Sequence, residues 1–128
     1  MEIVEILDSD NLYRRIHPNH RNPDGTISSA AFKGSDSYEY SVDLARLTSP
    51  KQTFDRAVLL NRACIGVASL TAGEVRELSQ EAKHDPLSEE DQDGPNPAHA
   101  LIIGDKSIPI ARQLARRCEW VFELSATT

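Results

Sequence analysis

An α+β fold, one compact domain with a mainly antiparallel sheet of about five strands and about three helices, is what the apolar pattern of this chain predicts. Three observations lead there. Short segments of alternating apolar and polar residues occupy much of the chain, two helix-start signals stand between them, and a last apolar stripe runs at helical spacing near the C-terminus. The 128 residues suit one domain, and 39% hydrophobic with 27% charged residues is the composition of a folding globular chain, not of a disordered or fibrous one. The expected domain spans residues 1–124, with residues 125–128 as a frayed tail.

The first strand signal is NLYRRIHP, where Leu12, Arg14 and Ile16 share one face and Tyr13, Arg15 and His17 the other, until Pro18 ends the run. ISSAAFK and YEYSVDL read as two more strands. The second places Tyr38, Tyr40, Val42 and Leu44 on one side against Glu39, Ser41 and Asp43, and KGSDS between them has a turn's composition, so a meander is expected. A helix follows in TSPKQTFDRAVLLNR: Ser49 caps, Pro50 fits the first turn, Gln52 completes a capping box, and Phe54, Ala57 and Val58 form one face.

CIGVASL reads as a buried strand. TAGEVRELSQEA repeats the helix signal, with Thr71 and Glu74 as a capping box and Val75, Leu78 and Ala82 turned inward. From His84 to Pro97 periodicity disappears, and this stretch is expected as a flexible acidic loop. Asp85, Glu89, Glu90, Asp91 and Asp93 lie in it, but without the fixed glycine and terminal glutamate of a calcium loop, so no metal site is predicted. AHALIIGDK then gives a strand and a turn. SIPIARQLARRCEWVF gives the best helix signal, with Ala111, Leu114, Ala115, Cys118 and Val121 as its apolar stripe and Arg112, Arg116 and Arg117 towards the other side.

The net charge of −6 argues against general nucleic-acid coating, which depends on lysine and arginine neutralising phosphates. MEIVEILDSD lacks the basic and apolar regions of a secretory signal, and no apolar run is long enough to span a bilayer; a cytoplasmic protein without membrane association is expected. Cys64 and Cys118 stand in apolar surroundings without metal-ligand spacing and read as buried free thiols. No Walker loop or GxGxxG is present, Ser28 and Ser29 are not in a GxSxG elbow, and no cofactor is predicted.

The chemical handles are histidines and arginines. His17 and His20 fall in HPNHRNPDG, which proline, asparagine and glycine keep out of regular structure, and His84 and His99 also lie beside or near prolines. Alternation puts His99 on the face of Leu101 and Ile103. His17, His20 and His99 are the candidate acid and base groups, imidazole titrating near neutrality, and His84 is a further group placed to meet His99. Arg14 and Arg15 point to opposite faces, so at least one turns inward, either to pair with Asp43 or Glu39 or to grip an anion such as phosphate.

The succession LYRRIHP, ISSAAF, SVDLA, GVASLTAGEVREL, HDP and PAHALI, over roughly residues 12–103, resembles a family of small uncharacterised bacterial proteins with the order LYR, HP, a serine-rich strand ending AF, SV, DP and HA. That resemblance implies a bacterial single-domain unit and carries no catalytic residue. A looser likeness is to ADP-ribosyltransferase-like domains, which would cast Arg14, Ser41 and Glu74 or Glu77 as the arginine, serine and glutamate of their site.

Two functions follow as expectations. One is a non-enzymatic protein-interaction or accessory module of a bacterial assembly, holding a protein partner. The alternative is a small enzyme on a phosphate-bearing substrate such as RNA or a nucleotide, with the histidines as acid and base and Arg14 or Arg15 on phosphate.

Overall fold

The computed structural model describes residues 2–33, 39–105 and 107–124. One antiparallel sheet of six strands organises them, in the order β4-β5-β2-β1-β3-β6. The strands are β1 (Asn11–Ile16), β2 (Glu39–Leu44), β3 (Gly66–Thr71), β4 (Glu81–His84), β5 (His99–Ile103) and β6 (Glu119–Glu123); the helices are α1 (Pro50–Leu59), α2 (Ala72–Glu77) and α3 (Ile108–Arg117). The expected α+β class is the one found. The sheet has six strands instead of about five: ISSAAFK supplies none, while Glu81–His84, expected partly as helix and partly as loop, and Glu119–Glu123, expected as helix, supply two.

At Cys118 the backbone turns extended, and Glu119–Glu123 pairs with β3 as an edge strand. Alternating Trp120 and Phe122 suit a pleated surface, and pairing with a strand roughly fifty residues earlier in the chain outweighs the local helical stripe. ISSAAFK, expected as a strand, is not one. Ser29–Phe32 forms a short 3-10 turn, because the Ser28 side chain accepts a hydrogen bond from the Ala30 amide and small alanines allow the tight coil. The three-stranded meander is therefore absent: β1 lies between β2 and β3. KGSDS, apart from Lys33, together with Tyr38 and the expected tail at 125–128, lies outside the described residues.

The start signal of α2 is found whole and that of α1 in part, since the Gln52 side chain accepts from Thr48 Oγ1 at 3.3 Å instead of closing a capping box. Ser49 accepts from the Gln52 amide at the start of α1, and Thr71 and Glu74 make both bonds of a capping box on α2. The buried face of α1 is Thr53, Phe54 and Ala57, while Val58 points outward; α2 ends at Glu77, and Ala82 serves the core from β4.

The main core lies on one face of the sheet. Leu12, Ile16, Leu44, Leu70 and Ile102 meet Val75 of α2, Ala111 and Leu114 of α3 and Phe32 of the 3-10 turn. The opposite face carries Tyr13, Arg15, Ser41, Asp43 and His99. Among the described residues α1 is the helix that crosses that second face, anchored where the Phe54 and Phe122 rings meet at 4.8 Å between centroids. The result is a sheet with an apolar side and a largely polar side.

Segment 84–97, expected as a flexible acidic loop, begins inside β4 and holds an antiparallel bridge between Leu87 and Asn96. Asp91 accepts from the Ser88 amide at 2.6 Å, and Asp93 receives Arg62 through both carboxylate oxygens at 3.0 and 3.1 Å. Among the described residues no group of three or more histidines, cysteines, aspartates or glutamates is arranged to hold a metal ion, and no helix is long and apolar enough to cross a membrane.

Candidate functional site

β1 and β2 pair over only two positions, Leu12 with Leu44 and Tyr13 with Asp43, whereas β1 pairs with β3 over six. Beyond Tyr13 the gap is filled by Arg14. Its side chain lies on the core face with Leu12 and Ile16, donates from Nε to the Ala31 carbonyl at 3.2 Å and from Nη1 to the Ser41 carbonyl at 2.8 Å, and stacks 5.0 Å from the Tyr40 ring centroid. Burial lowers its pKa, yet a guanidinium remains charged in a protein, so it is held by carbonyl dipoles and a ring face. Tyr40, buried beside it, has its hydroxyl pKa raised chiefly by burial.

On the opposite face the splayed strands open a cleft lined by Tyr13, Arg15, Ser41, Asp43, Arg56 and His99. Its volume is about 40 Å³, room for about three waters. Only the reacting group of a substrate enters a space of that size.

His99 is the chemical centre of the cleft. Its Nδ1 lies 2.8 Å from the Asp85 carbonyl oxygen and 3.3 Å from an Asp85 carboxylate oxygen; its Nε2 lies 3.0 Å from Ser41 Oγ. A carbonyl oxygen only accepts, so Nδ1 carries the proton of the neutral ring and Nε2 presents its lone pair to the serine hydroxyl. The order is that of a serine, a base and a group that orients the base, here the Asp85 backbone carbonyl with the Asp85 carboxylate beside it. The His99 side chain is 12% exposed and thus shielded, while that of Asp85 is half exposed.

The floor beside this group is fixed by Asp43, itself 7% exposed. Thr53 Oγ1 donates to one of its oxygens at 2.8 Å, and Asn96 Nδ2 to the other at 2.9 Å. One carboxylate thereby joins β2, α1 and segment 84–97. Arg56 reaches across to the Pro95 carbonyl at 2.7 Å. The Arg15 side chain, half-buried in the same cleft, has no hydrogen-bond or ion-pair partner among the described residues.

The remaining histidines stand elsewhere. His17 and His20 face each other with ring centroids 5.5 Å apart beside a 3-10 turn, where His17 Nδ1 accepts from the Asn19 amide at 3.0 Å and caps it. Burial, then the neighbouring His17 and Arg14, hold the His20 pKa below its ordinary value. This pair makes no contact with His99, whose ring partners are Ser41 and Asp85. His84 is buried on the core face, taking the Val4 amide on Nδ1 at 3.0 Å and contacting the Pro97 carbonyl through Nε2 at 2.8 Å. It supports the fold and does not meet the His99 ring.

The arrangement of an ADP-ribosyltransferase-like site is not met. Arg14 and the Ser41 side chain lie on opposite faces of the sheet, Glu74 is engaged in the α2 capping box, and Glu77 pairs with Arg117. The inward arginine is Arg14, and carbonyl oxygens receive it in place of the expected Asp43 or Glu39; Asp43 instead serves Thr53 and Asn96.

Sequence reasoning singles out His99 and Arg15 but not Ser41 as a partner of the histidine, nor Asp85, Thr53 or Asn96. The available signal is alternation: SVD puts Ser41 and Asp43 on one face, and AHALI turns His99 to a single face. Comparison with protein-family models, curated proteins and solved structures gives no match for this chain.

Proposed function

We propose that the protein is a small enzyme acting on a phosphate-bearing substrate, with Ser41 as nucleophile, His99 as its base and Arg15 as the phosphate grip. The observation that carries this reading is the Nε2 of His99 aimed at Ser41 Oγ in a cleft where one arginine stands unpaired among the described residues. In the first step Ser41 Oγ bonds to phosphorus as His99 Nε2 takes its proton, and the substrate's leaving oxygen departs with that proton returned from His99. Water then attacks the phosphoserine under the same base and restores the serine. Arg15 neutralises charge on the non-bridging oxygens through both steps.

An organophosphonate that reacts with activated serines tests the reading whatever the natural substrate is. The expected adduct, located by peptide mass spectrometry, is on Ser41. It disappears in His99→Ala. Turnover of nitrophenyl phosphate mono- and diesters is expected to fall about a hundredfold or more in Ser41→Ala and His99→Ala, and Arg15→Ala to raise KM. Absence of an adduct on Ser41, or equal labelling without His99, rejects the assignment.

A second reading, the protein-interaction module, is favoured by a different surface. Leu59 of α1 is 83% exposed and, with Leu47 and Pro97, lines a groove of about 360 Å³. Exposed leucines over a groove suit an apolar segment of a protein partner. Replacing Val58 and Leu59 by lysine is expected to abolish capture of a partner from native cell extract; capture that is unchanged, or that never occurs, counts against this reading.

A further inference from the structure

A groove with a marked charge lies on the core side of the sheet, remote from the Ser41 cleft. It has a volume of about 610 Å³, within the usual range for small-molecule sites, and runs between α3, the start of β6 and the turn around Gly25. Arg112 and Arg116 line it, one helical turn apart on α3. Both are exposed, and neither has a carboxylate partner among the described residues, whereas neighbouring Arg117 is paired with Glu77. Two guanidiniums one turn apart, without a carboxylate partner among the described residues, form a local anion site.

Trp120 forms another wall. Its indole Nε1 donates to the Gly25 carbonyl at 2.9 Å, which fixes the ring. The ring also rests against Gly66, where a Cβ would come within 2.9 Å of Cζ3. A fixed indole beside two guanidiniums presents a stacking surface next to a phosphate grip. Ser29 adds a hydroxyl to the lining, and Glu119 adds one negative charge against the two positive ones.

We infer that this groove is a second site that binds a nucleoside phosphate, its phosphate on Arg112 and Arg116 and its base against Trp120. Size sets the limit at about a mononucleotide, and the overall acidity of the chain disfavours a long polyanion. The site rests on none of the residues of the Ser41 cleft, so either can fail alone.

Trp120 is the single tryptophan of the chain, so its fluorescence reads the groove directly. Titration of the intact protein with adenosine monophosphate is expected to quench it saturably. Replacing Arg112 and Arg116 by alanine, both exposed and safe for folding, is expected to weaken binding about tenfold or more. Ser41→Ala is expected to leave the titration unchanged. The inference is overturned by a linear, non-saturating response to adenosine monophosphate, by equal affinity in the double arginine variant, or by adenosine binding as tightly as its phosphate.

Discussion

At the scale of single residues, two histidines at the mouth of one loop are set in opposite tautomers by backbone groups alone. His84 receives an amide N–H on Nδ1 and so carries its proton on Nε2, towards Pro97; His99 meets a carbonyl with Nδ1 and so carries its proton there, leaving Nε2 free for Ser41. One is thereby a satisfied core group and the other a base. Nitrogen chemical shifts of the imidazoles are expected to report Nε2–H for His84 and Nδ1–H for His99 in the neutral protein; Nε2–H on His99 would remove the base from Ser41. The same spectra, followed with pH, are expected to show His20 titrating below its ordinary value of 6.5, and rising towards that value in His17→Ala as a neighbouring charge is removed. A histidine whose folded pKa is lowered binds protons more readily when unfolded, so its contribution is present above about 6.5 and is lost as pH falls through the folded value. Partial exposure of His20 screens this contribution and keeps it small.

At the scale of elements, what is legible in the sequence is what short stretches decide by themselves. Ser49 and Thr71 start α1 and α2 because each cap bonds an amide within three residues. β6 is not legible, since its strand character comes from pairing with β3, where Val67 meets Phe122 and Ala68 meets Trp120 across an irregularity in register. Gly66 makes that pairing possible. A Cβ there would come within 2.5 Å of the Phe122 carbonyl oxygen and 3.1 Å of the Glu123 Cα, both backbone atoms that cannot swing aside. The backbone at Gly66 is not in the left-handed region, so the obstacle is contact and not strain. Gly66→Ala is expected to push β6 outward, lowering unfolding free energy by about 1–3 kcal/mol in urea titration and raising the amide exchange of Phe122. A variant as stable as the parent, with unchanged exchange in β6, would show that the edge strand is less closely seated than these distances require.

At the scale of the whole molecule, the cleft exists because distant segments are tied at one carboxylate. Ser41 and His99 are separated by 58 positions, and only the β2–β5 register, with Asp43 opposite His99 and Ser41 opposite Leu101, brings the serine beside the ring. Alternation along one strand gives each residue's face but not its neighbour, and that is why His99 is visible as a candidate in the sequence while its partners are not. The opening itself depends on Arg14, which takes the Ser41 carbonyl where a β1–β2 ladder would otherwise continue. Asp43 then closes the structure around the opening, accepting from Thr53 of α1 and Asn96 of segment 84–97, all three side chains being buried. Removing that acceptor strands two buried donors at once, and the cost of unsatisfied groups exceeds the modest net gain of each bond when made. Asp43→Ala is therefore expected to lower unfolding free energy by about 2–4 kcal/mol. Asp43→Asn keeps the shape but exchanges one acceptor for a donor facing a donor, so it is expected to recover only part of the loss. The decisive readout is spatial: amide exchange at Leu87 and Asn96, whose bridge closes the segment over the cleft, is expected to rise together with that of the α1 turn containing Thr53. Exchange that rises in only one of the two would mean that Asp43 serves a single neighbour, and that the cleft wall and α1 are held by separate devices.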